Sequence, residues 1–158
     1  MATTAAASCP AADATSWTEN AAQADKPKVL GGIAPYLDVS DASAAAEFYK
    51  KAFAAQEVHR HPADESGRTF HIHLHLNGNS LMLSDPFPEF GHPTGAPQGF
   101  NLLLAVDDVD AWWNRAVEAG AEIVMPLQDM FWGDRYGQLR DPFGVRWAMG
   151  APIRKAAS

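Results

Sequence analysis

The sequence contains one cysteine, Cys9, among its 158 residues, so it offers neither an internal disulfide nor a thiolate metal cluster. Such a chain suits a reducing compartment, and we expect a cytoplasmic protein. Positive charge is also scarce. Twelve scattered Lys and Arg residues stand against nineteen Asp and Glu residues, for a net charge of −7, which disfavours nucleic acid as a partner. No apolar run approaches the roughly 18 to 20 residues needed to cross a bilayer, so we expect no membrane association.

Motifs of several enzyme classes are missing as well. The sequence contains no phosphate-binding loop, no dinucleotide-binding glycine pattern and no Ser-His-Asp set supported by spacing. Residues 1–28 are rich in Ala, Thr and Ser and lack both a basic start and an apolar core, so we predict a mobile tail. The remainder, residues 29–158, is predicted to form a single domain, because its length suits one hydrophobic core.

A pattern of one strand followed by one helix occurs twice in this domain. Residues 33–39 alternate as in a strand, and Asp41 can cap the helix that follows. Residues 102–106 and Asp108 repeat this arrangement, with Trp112 on the apolar face of the second helix. Three further strands are predicted after each helix, at 56–61, 69–76 and 80–83, and then at 122–125, within 128–140 and at 145–149.

Each half is therefore predicted to fold as a βαβββ module, the first at about 31–85 and the second at about 99–150. The fold class is α+β, with two tandem modules forming an open eight-stranded sheet around a cleft. Asn77 and Gly78 predict a tight hairpin, and residues 141–144 predict a turn before the last strand. The linker, 86–98, carries Phe87, Phe90 and His92, which is typical of a surface loop or a lid over a cleft.

Strand alternation separates the side chains that face the helices from those that face the cleft. Apolar residues of one parity, including Ile33 and Phe70, are predicted to face the helices. The opposite parity places on the cleft face Ala34, Tyr36, Asp38, His71, His73, His75, Ser80, Met82, Ser84, Asn101, Leu103, Ala105, Arg146 and Ala148.

Five short segments in the right order, together with the duplicated pattern, resemble a known family. They are residues 41–49, 80–85, 106–110, 131–137 and 141–144. The chain from about residue 31 to residue 150 looks like the PhnB-like branch of the vicinal oxygen chelate superfamily, which includes glyoxalases, bleomycin resistance proteins and extradiol dioxygenases. The resemblance implies paired modules around a cleft and a homodimer.

The resemblance also implies where a metal would bind. Metal-using members place His, Gln or Glu ligands on the first and last strands of each module. In this sequence those positions carry Ala34, Met82, Asn101 and Ala148, of which only Asn101 has an oxygen ligand for a hard divalent ion. We therefore predict that the usual metal site is absent, and we predict no cofactor.

Three histidines on one strand, His71, His73 and His75, are the most unusual local feature of the sequence. Adjacent imidazoles could share a transition metal or relay protons near neutral pH. The alternative is a polar sheet face whose imidazoles bond to neighbouring groups and water. His73 is the preferred ligand contact, and His59 and His61 on the preceding strand could extend the patch.

Residues 131–136 combine aromatic rings with a cation and a carboxylate. Trp132, Arg135 and Tyr136 could clamp a planar or anionic molecule. The alternative is structural, with Asp134 and Arg135 paired to neighbouring loops and Phe131 and Trp132 closing the core or a dimer interface.

The sequence thus predicts a protein that binds a small molecule, without the usual divalent metal. An enzyme is the alternative: a metal-dependent or acid–base lyase, isomerase or dioxygenase that uses His71, His73 and His75, with His73 paired to Tyr36 or Asp38 for acid–base chemistry. No catalytic residue is assigned. The predicted ligand contacts are Tyr36, His71, His73, His75, Met82, Asn101, Leu103, Trp132, Arg135 and Tyr136.

Overall fold

The strands and helices follow the predicted order. The computed structural model describes residues 26–92 and 94–154, so most of the predicted tail, residues 1–25, lies outside the described residues. The elements are β1 (Tyr36–Asp38), α1 (Ala42–Phe53), β2 (Gln56–Arg60), β3 (Ile72–Leu76), β4 (Asn79–Ser84), β5 (Leu102–Ala105), α2 (Val109–Ala119), β6 (Glu122–Asp129), β7 (Asp134–Arg140) and β8 (Arg146–Pro152). The α+β class with two tandem βαβββ modules is confirmed.

The eight strands form two four-stranded mixed sheets. The order is β1-β4-β3-β2 in the first module and β5-β8-β7-β6 in the second. In each sheet the first strand runs parallel to the last strand of its module, and the other pairs are antiparallel. The two modules therefore have the same topology.

Local sequence signals account for where the elements begin and turn. The carboxylates of Asp41 and Asp108 each accept a hydrogen bond from the backbone N–H three residues later, at 2.8 and 3.1 Å, which satisfies one of the free N–H groups of each helix N-terminus. Asn77 and Gly78 have φ angles of 47° and 77°. Positive φ at both central residues is the conformation expected of the predicted tight hairpin.

The two modules meet through their helices. Helix α1 packs on α2, and its residues Tyr49 and Phe53 contact Trp147 of β8, with ring centroids 5.2 and 4.5 Å apart. The helix-side residues of both sheets belong to one hydrophobic core. The opposite sheet faces consequently lie on the outside of the chain, where Tyr36 is 49% and Leu103 is 61% exposed, and the described part of one chain does not enclose a cleft between them.

Two residues predicted to face the helices do not, and both lie just outside a strand. Ile33 is 89% exposed, because the chain bends at residues 31–33 before β1 begins. Phe70 stacks on Phe87 of the linker, with centroids 3.8 Å apart. Phe87 is buried, so this linker aromatic is anchored against the first module.

Candidate functional site

The outward sheet face of the first module, called here the first-module face, carries most of the predicted ligand residues. Backbone pairing sets Tyr36 opposite Met82, Met82 opposite His73, and His73 opposite His59. His75 follows His73 on the same side of β3, as strand alternation requires, and His71 directly precedes β3 with its ring beside those of Tyr36 and His73. The five predicted residues of this module, Tyr36, His71, His73, His75 and Met82, are therefore on one face.

Tyr36 and His71 form a hydrogen-bonded pair on this face. The Tyr36 Oη atom lies 2.8 Å from Nδ1 of His71 and 2.8 Å from the carbonyl oxygen of Phe70. The two rings are tilted by 43° with centroids 5.6 Å apart. The ring of His71 also lies 5.8 Å from that of His59 and 6.2 Å from that of His73, so it stands at the centre of a histidine cluster.

His73, the preferred contact from the sequence, is 2% exposed. Its Nε2 atom lies 2.7 Å from Oγ of Ser80, and the same oxygen accepts a hydrogen bond from the backbone N–H of Leu30 at 2.8 Å. The Ser80 N–H in turn donates to the carbonyl oxygen of Leu30 at 3.0 Å. In this conformation His73 bonds to neighbouring protein groups, which is the alternative that the sequence left open for the histidine strand.

Residues 28–31, called here the strap, lie across the end of the first-module face. Besides the two bonds between Leu30 and Ser80, Nε2 of His75 donates to the carbonyl oxygen of Lys28 at 2.9 Å. Gly31 has a φ of 84°, and an added Cβ would fall 2.5 Å from Oδ1 of Asn79, so this turn requires glycine. The strap, which the sequence did not predict, limits access to His73 and His75.

The residues at the usual metal positions do not fit a divalent ion. Ala34 and Ala148 end in methyl groups, Met82 supplies only a thioether, and Asn101 is an exposed residue just before β5. Among the described residues, moreover, no three or more His, Cys, Asp or Glu side chains are grouped so that they could hold a metal. A metal bound at these positions would lack the carboxylate and imidazole ligands that hard divalent ions need.

Burial lowers the pKa of His73, and the nearby His75 and His59 lower it further. A histidine whose pKa is lower in the folded than in the unfolded state binds fewer protons when folded, so the free energy of unfolding decreases as pH falls from about 6.5 to the folded pKa. We expect this acid destabilisation to be smaller in His73→Gln, which keeps an oxygen acceptor for Ser80 but does not titrate. Urea denaturation at pH 7.5, 6.5 and 5.5 measures the free energy of unfolding of the wild type and of His73→Gln. Identical pH profiles for these two proteins would contradict the expectation.

The outward face of the second module, the second-module face, combines apolar and aromatic side chains with polar and charged ones. Leu103 pairs with Ala148 across β5 and β8, and Ala148 pairs with Gln138 of β7. Gln138 donates to the hydroxyl of Tyr136 at 3.0 Å, and the Tyr136 ring meets Trp132 edge to face at 5.7 Å. Leu103, Trp132 and Tyr136 therefore belong to one surface, although the sequence did not indicate that Gln138 orients Tyr136.

Arg135 was predicted with these residues, but it points to the opposite side of β7. Its guanidinium donates to Asp110 of α2 at 2.7 Å and to Asp129 of β6 at 3.2 Å. Hydrogen bonds from Arg135 lower the pKa of Asp110, as expected for an ion pair. Arg135 thus matches the structural alternative, and we leave it out of the candidate site.

Two further features lie near the faces. Nδ1 of His92, in the linker, lies 3.5 Å from the Asp38 carboxylate at the edge of the first-module face. A cavity of about 170 Å³ lies beside Leu103 and is lined in part by Ile33, Leu81 and Trp147. Two larger cavities have volumes of about 340 and 400 Å³, and the second adjoins Asp38. Neither is lined by a residue of the candidate site, which consists of open surfaces.

Two βαβββ modules with open sheet faces define the structural class of this protein, and comparison with known proteins identifies the family. The model of the Glyoxalase/Bleomycin resistance protein/Dioxygenase superfamily matches residues 33–149, so the chain belongs to that superfamily, as the resemblance predicted. Rv0887c of Mycobacterium tuberculosis is 42% identical over 129 residues, which cover 78% of this chain and 75% of that protein.

Two solved structures share the fold. TioX from Micromonospora sp. ML1 is 29% identical with a TM-score of 0.63, covering 78% of this chain and 99% of its own. A PhnB protein from Bacillus cereus is 22% identical with a TM-score of 0.61, and the match covers 77% of this chain and 99% of that protein's chain. Within the described residues, neither helix is long and apolar enough to cross a membrane.

Proposed function

We propose that this protein binds a small planar organic molecule between the first-module face of one protomer and the second-module face of another, without a divalent metal. The observation that carries the proposal is the exposure of aromatic and apolar side chains on outward sheet faces: Leu103 is 61%, Tyr36 49% and Trp132 47% exposed. Exposed apolar groups of this kind are typical of a surface that receives a ligand or a partner.

A homodimer, which we place in the cytoplasm, is part of the proposal. Because the helices of one chain occupy the space between its two sheets, its own faces cannot close over a ligand. A second copy would place its second-module face opposite the first-module face of the first copy. A closed two-fold assembly would form this cleft twice. Sedimentation equilibrium should then give twice the 17.0 kDa mass of the chain, and a monomer at micromolar concentration would contradict this part.

Metal independence is supported by the side chains at the usual ligand positions. Ala34 and Ala148 have no ligand atom, and Met82 offers only a soft thioether. Tyr36, Met82 and Leu103 instead supply the apolar and aromatic surface that a planar molecule packs against. The chemistry of the faces thus favours stacking and a few hydrogen bonds over chelation.

A titration with 2-methoxynaphthalene, a neutral planar probe, tests the proposal in untagged protein dialysed against a chelator. We expect saturable binding that added Zn²⁺ or Mn²⁺ does not change. Leu103→Asp should weaken it by roughly tenfold or more, because a carboxylate then replaces apolar contact in the cleft. The matched control is Ile123→Asp: Ile123 is 48% exposed but pairs with Leu139 on the helix side.

Two outcomes would contradict the proposal. One is equal binding by Leu103→Asp and the wild type, which would place the probe elsewhere. The other is a stoichiometric transition metal that survives dialysis and is lost in His73→Ala, which would identify the histidine strand as a metal site.

An acid–base enzyme remains the second candidate, and one observation favours it. Tyr36 is hydrogen-bonded to His71, so the pair available for proton transfer is Tyr36 with His71 and not with His73, which is bonded to Ser80. A candidate acid or base must reach the reacting proton. Turnover of an added carbonyl compound that His71→Gln abolishes, and His73→Gln does not, would support this candidate over simple binding.

A further inference from the structure

The hydrogen bonds around Tyr36 determine which nitrogen of His71 carries the proton. The Tyr36 hydroxyl has one proton and two close partners, the carbonyl oxygen of Phe70 and Nδ1 of His71, each at 2.8 Å. A carbonyl oxygen can only accept, so the hydroxyl proton goes to Phe70. The second contact is then a hydrogen bond only if Nδ1 of His71 carries a proton and donates it to the tyrosine oxygen.

The other ring nitrogen of neutral His71 is consequently an acceptor. In the described part of the chain, Nε2 of His71 has no hydrogen-bond partner, while Nδ1 has Tyr36. Burial lowers the pKa of His71, and the neighbouring histidines His59, His73 and His61 lower it further, so the ring stays neutral at pH 7. Burial and Asp38 raise the pKa of Tyr36, so its hydroxyl keeps its proton.

We propose that Tyr36 fixes His71 in the tautomer protonated at Nδ1, so that Nε2 is the hydrogen-bond acceptor for the hydroxyl of a planar ligand such as a phenol. This inference rests on the proposed binding function and names the ligand class. Tyr36 is then a positioning residue for His71, in addition to providing stacking surface.

The charge of the first-module face favours a neutral donor over an anion. The outward positions of its four strands carry no Lys or Arg. One edge carries a fixed negative charge, the Asp38 carboxylate, which lies 3.5 Å from His92, and the exposed Lys28 belongs to the strap at the end of the face. The titratable groups on the face are otherwise Tyr36 and the histidines. At pH 7 an anionic group against this face would find no permanent cation there, whereas a ligand hydroxyl would find the lone pair of His71; the cations Arg140 and Arg146 lie on the opposing second-module face.

His75 provides an internal reference for the tautomer of His71. It must carry a proton on Nε2, because that atom contacts the carbonyl oxygen of Lys28 at 2.9 Å. His73 gives no such reference, because the Ser80 hydroxyl, which accepts from Leu30, can either donate to Nε2 of His73 or accept from it. His71 and His75 are therefore expected to be opposite tautomers.

Long-range ¹H–¹⁵N correlation spectra of labelled protein at pH 7.5 distinguish the two tautomers directly. We expect His71 to be protonated at Nδ1 and His75 at Nε2. In Tyr36→Phe, which keeps the ring, His71 should shift towards the Nε2-protonated form, while His75 is unchanged. The matched control is Tyr136→Phe, on the second-module face, which should leave all three tautomers as they are. Nε2-protonated His71 in the wild type would overturn the inference.

The ligand class is tested with 2-naphthol and its methyl ether, 2-methoxynaphthalene, which lacks the hydroxyl donor. The wild type should bind 2-naphthol roughly two- to tenfold more tightly, as one additional hydrogen bond predicts. Tyr36→Phe should lose that preference and keep its affinity for 2-methoxynaphthalene. Equal affinity of the wild type for both probes would overturn the inference and leave the proposed binding function standing. Failure to bind either probe would overturn both.

Discussion

Asp141→Ala is expected to lower the free energy of unfolding by about 3 to 5 kcal/mol, since it leaves a buried hydrogen-bond network without its acceptor. Asp141 is 4% exposed. Its Oδ2 atom accepts from the Tyr49 hydroxyl at 2.7 Å and from Trp147 Nε1 at 2.9 Å. Its Oδ1 atom accepts from the backbone N–H groups of Phe143 and Val145, each at 2.9 Å.

The network connects the two modules, which is why its loss should be large. Tyr49 lies on α1 of the first module, whereas Asp141 and Trp147 belong to the second. Burial and the Asp141 carboxylate raise the pKa of Tyr49 well above its usual value, so the hydroxyl remains a donor. Breaking the network leaves two ring donors buried between modules without an acceptor, each at a desolvation cost of about 1 to 3 kcal/mol.

Urea denaturation at one fixed protein concentration measures the effect. Asp141→Asn should lose less stability than Asp141→Ala, because the amide keeps one acceptor oxygen. It should still be less stable than the wild type, because its NH2 group faces donors where the second carboxylate oxygen accepted hydrogen bonds. The exposed control is Asp129→Ala, which removes one ion pair with Arg135 and should cost less than about 1 kcal/mol. If Asp141→Ala were no less stable than Asp129→Ala, Asp141 would not hold the modules together.

Strand alternation predicted the sheet faces well where the strands are regular. Ile72, Leu74 and Leu76 are buried on the helix side, and the histidines between them lie on the outward face. The prediction failed at Ile33 and Phe70, because a parity rule holds only inside a strand and both residues lie in bends before their strands begin.

The arrangement of the modules could not be predicted from the same pattern. A helix-side residue such as Trp147 is buried whether it packs on its own module's helix or on that of the other module. The sequence therefore indicated a cleft face without indicating what lies opposite it. In the structure, Tyr49 and Phe53 of α1 pack against β8 of the other module. Packing within one module would bury the same apolar residues, so the apolar pattern cannot distinguish the two arrangements.

The candidate site was predicted by residue type but not by hydrogen bonding. Strand alternation alone was enough to predict that Tyr36 and the histidines lie on one face, and the structure places them on one face. Which histidine meets Tyr36 depends on the register between β1, β4 and β3, and His73 was preferred only for its central position. Arg135 was included for its chemistry, whereas its parity, opposite to that of Tyr136, pointed towards the helix side.

Gly137→Ala is expected to cost about 1 to 3 kcal/mol of stability, because β7 and α2 approach each other where Gly137 has no side chain. The sequence placed Trp112 on the apolar face of its helix, but Trp113 is the more buried of the two, at 7% exposure. A Cβ on Gly137 would lie 2.6 Å from Cζ3 of Trp113 and 2.9 Å from the backbone Cα of Leu127. The indole therefore packs directly against the glycine backbone.

Gly150→Ala is the matched control for this prediction. Gly150 is also a strand glycine of the second module, and its nearest neighbour to an added Cβ is the Tyr136 ring at 3.5 Å, an ordinary contact distance. Thermal unfolding of both variants should show a lower midpoint for Gly137→Ala and little change for Gly150→Ala. Equal midpoints would mean that Trp113 can move away from β7 at no cost. A lower midpoint for Gly137→Ala alone would mean that Trp113 and the backbone of Leu127 leave no room for a side chain at residue 137.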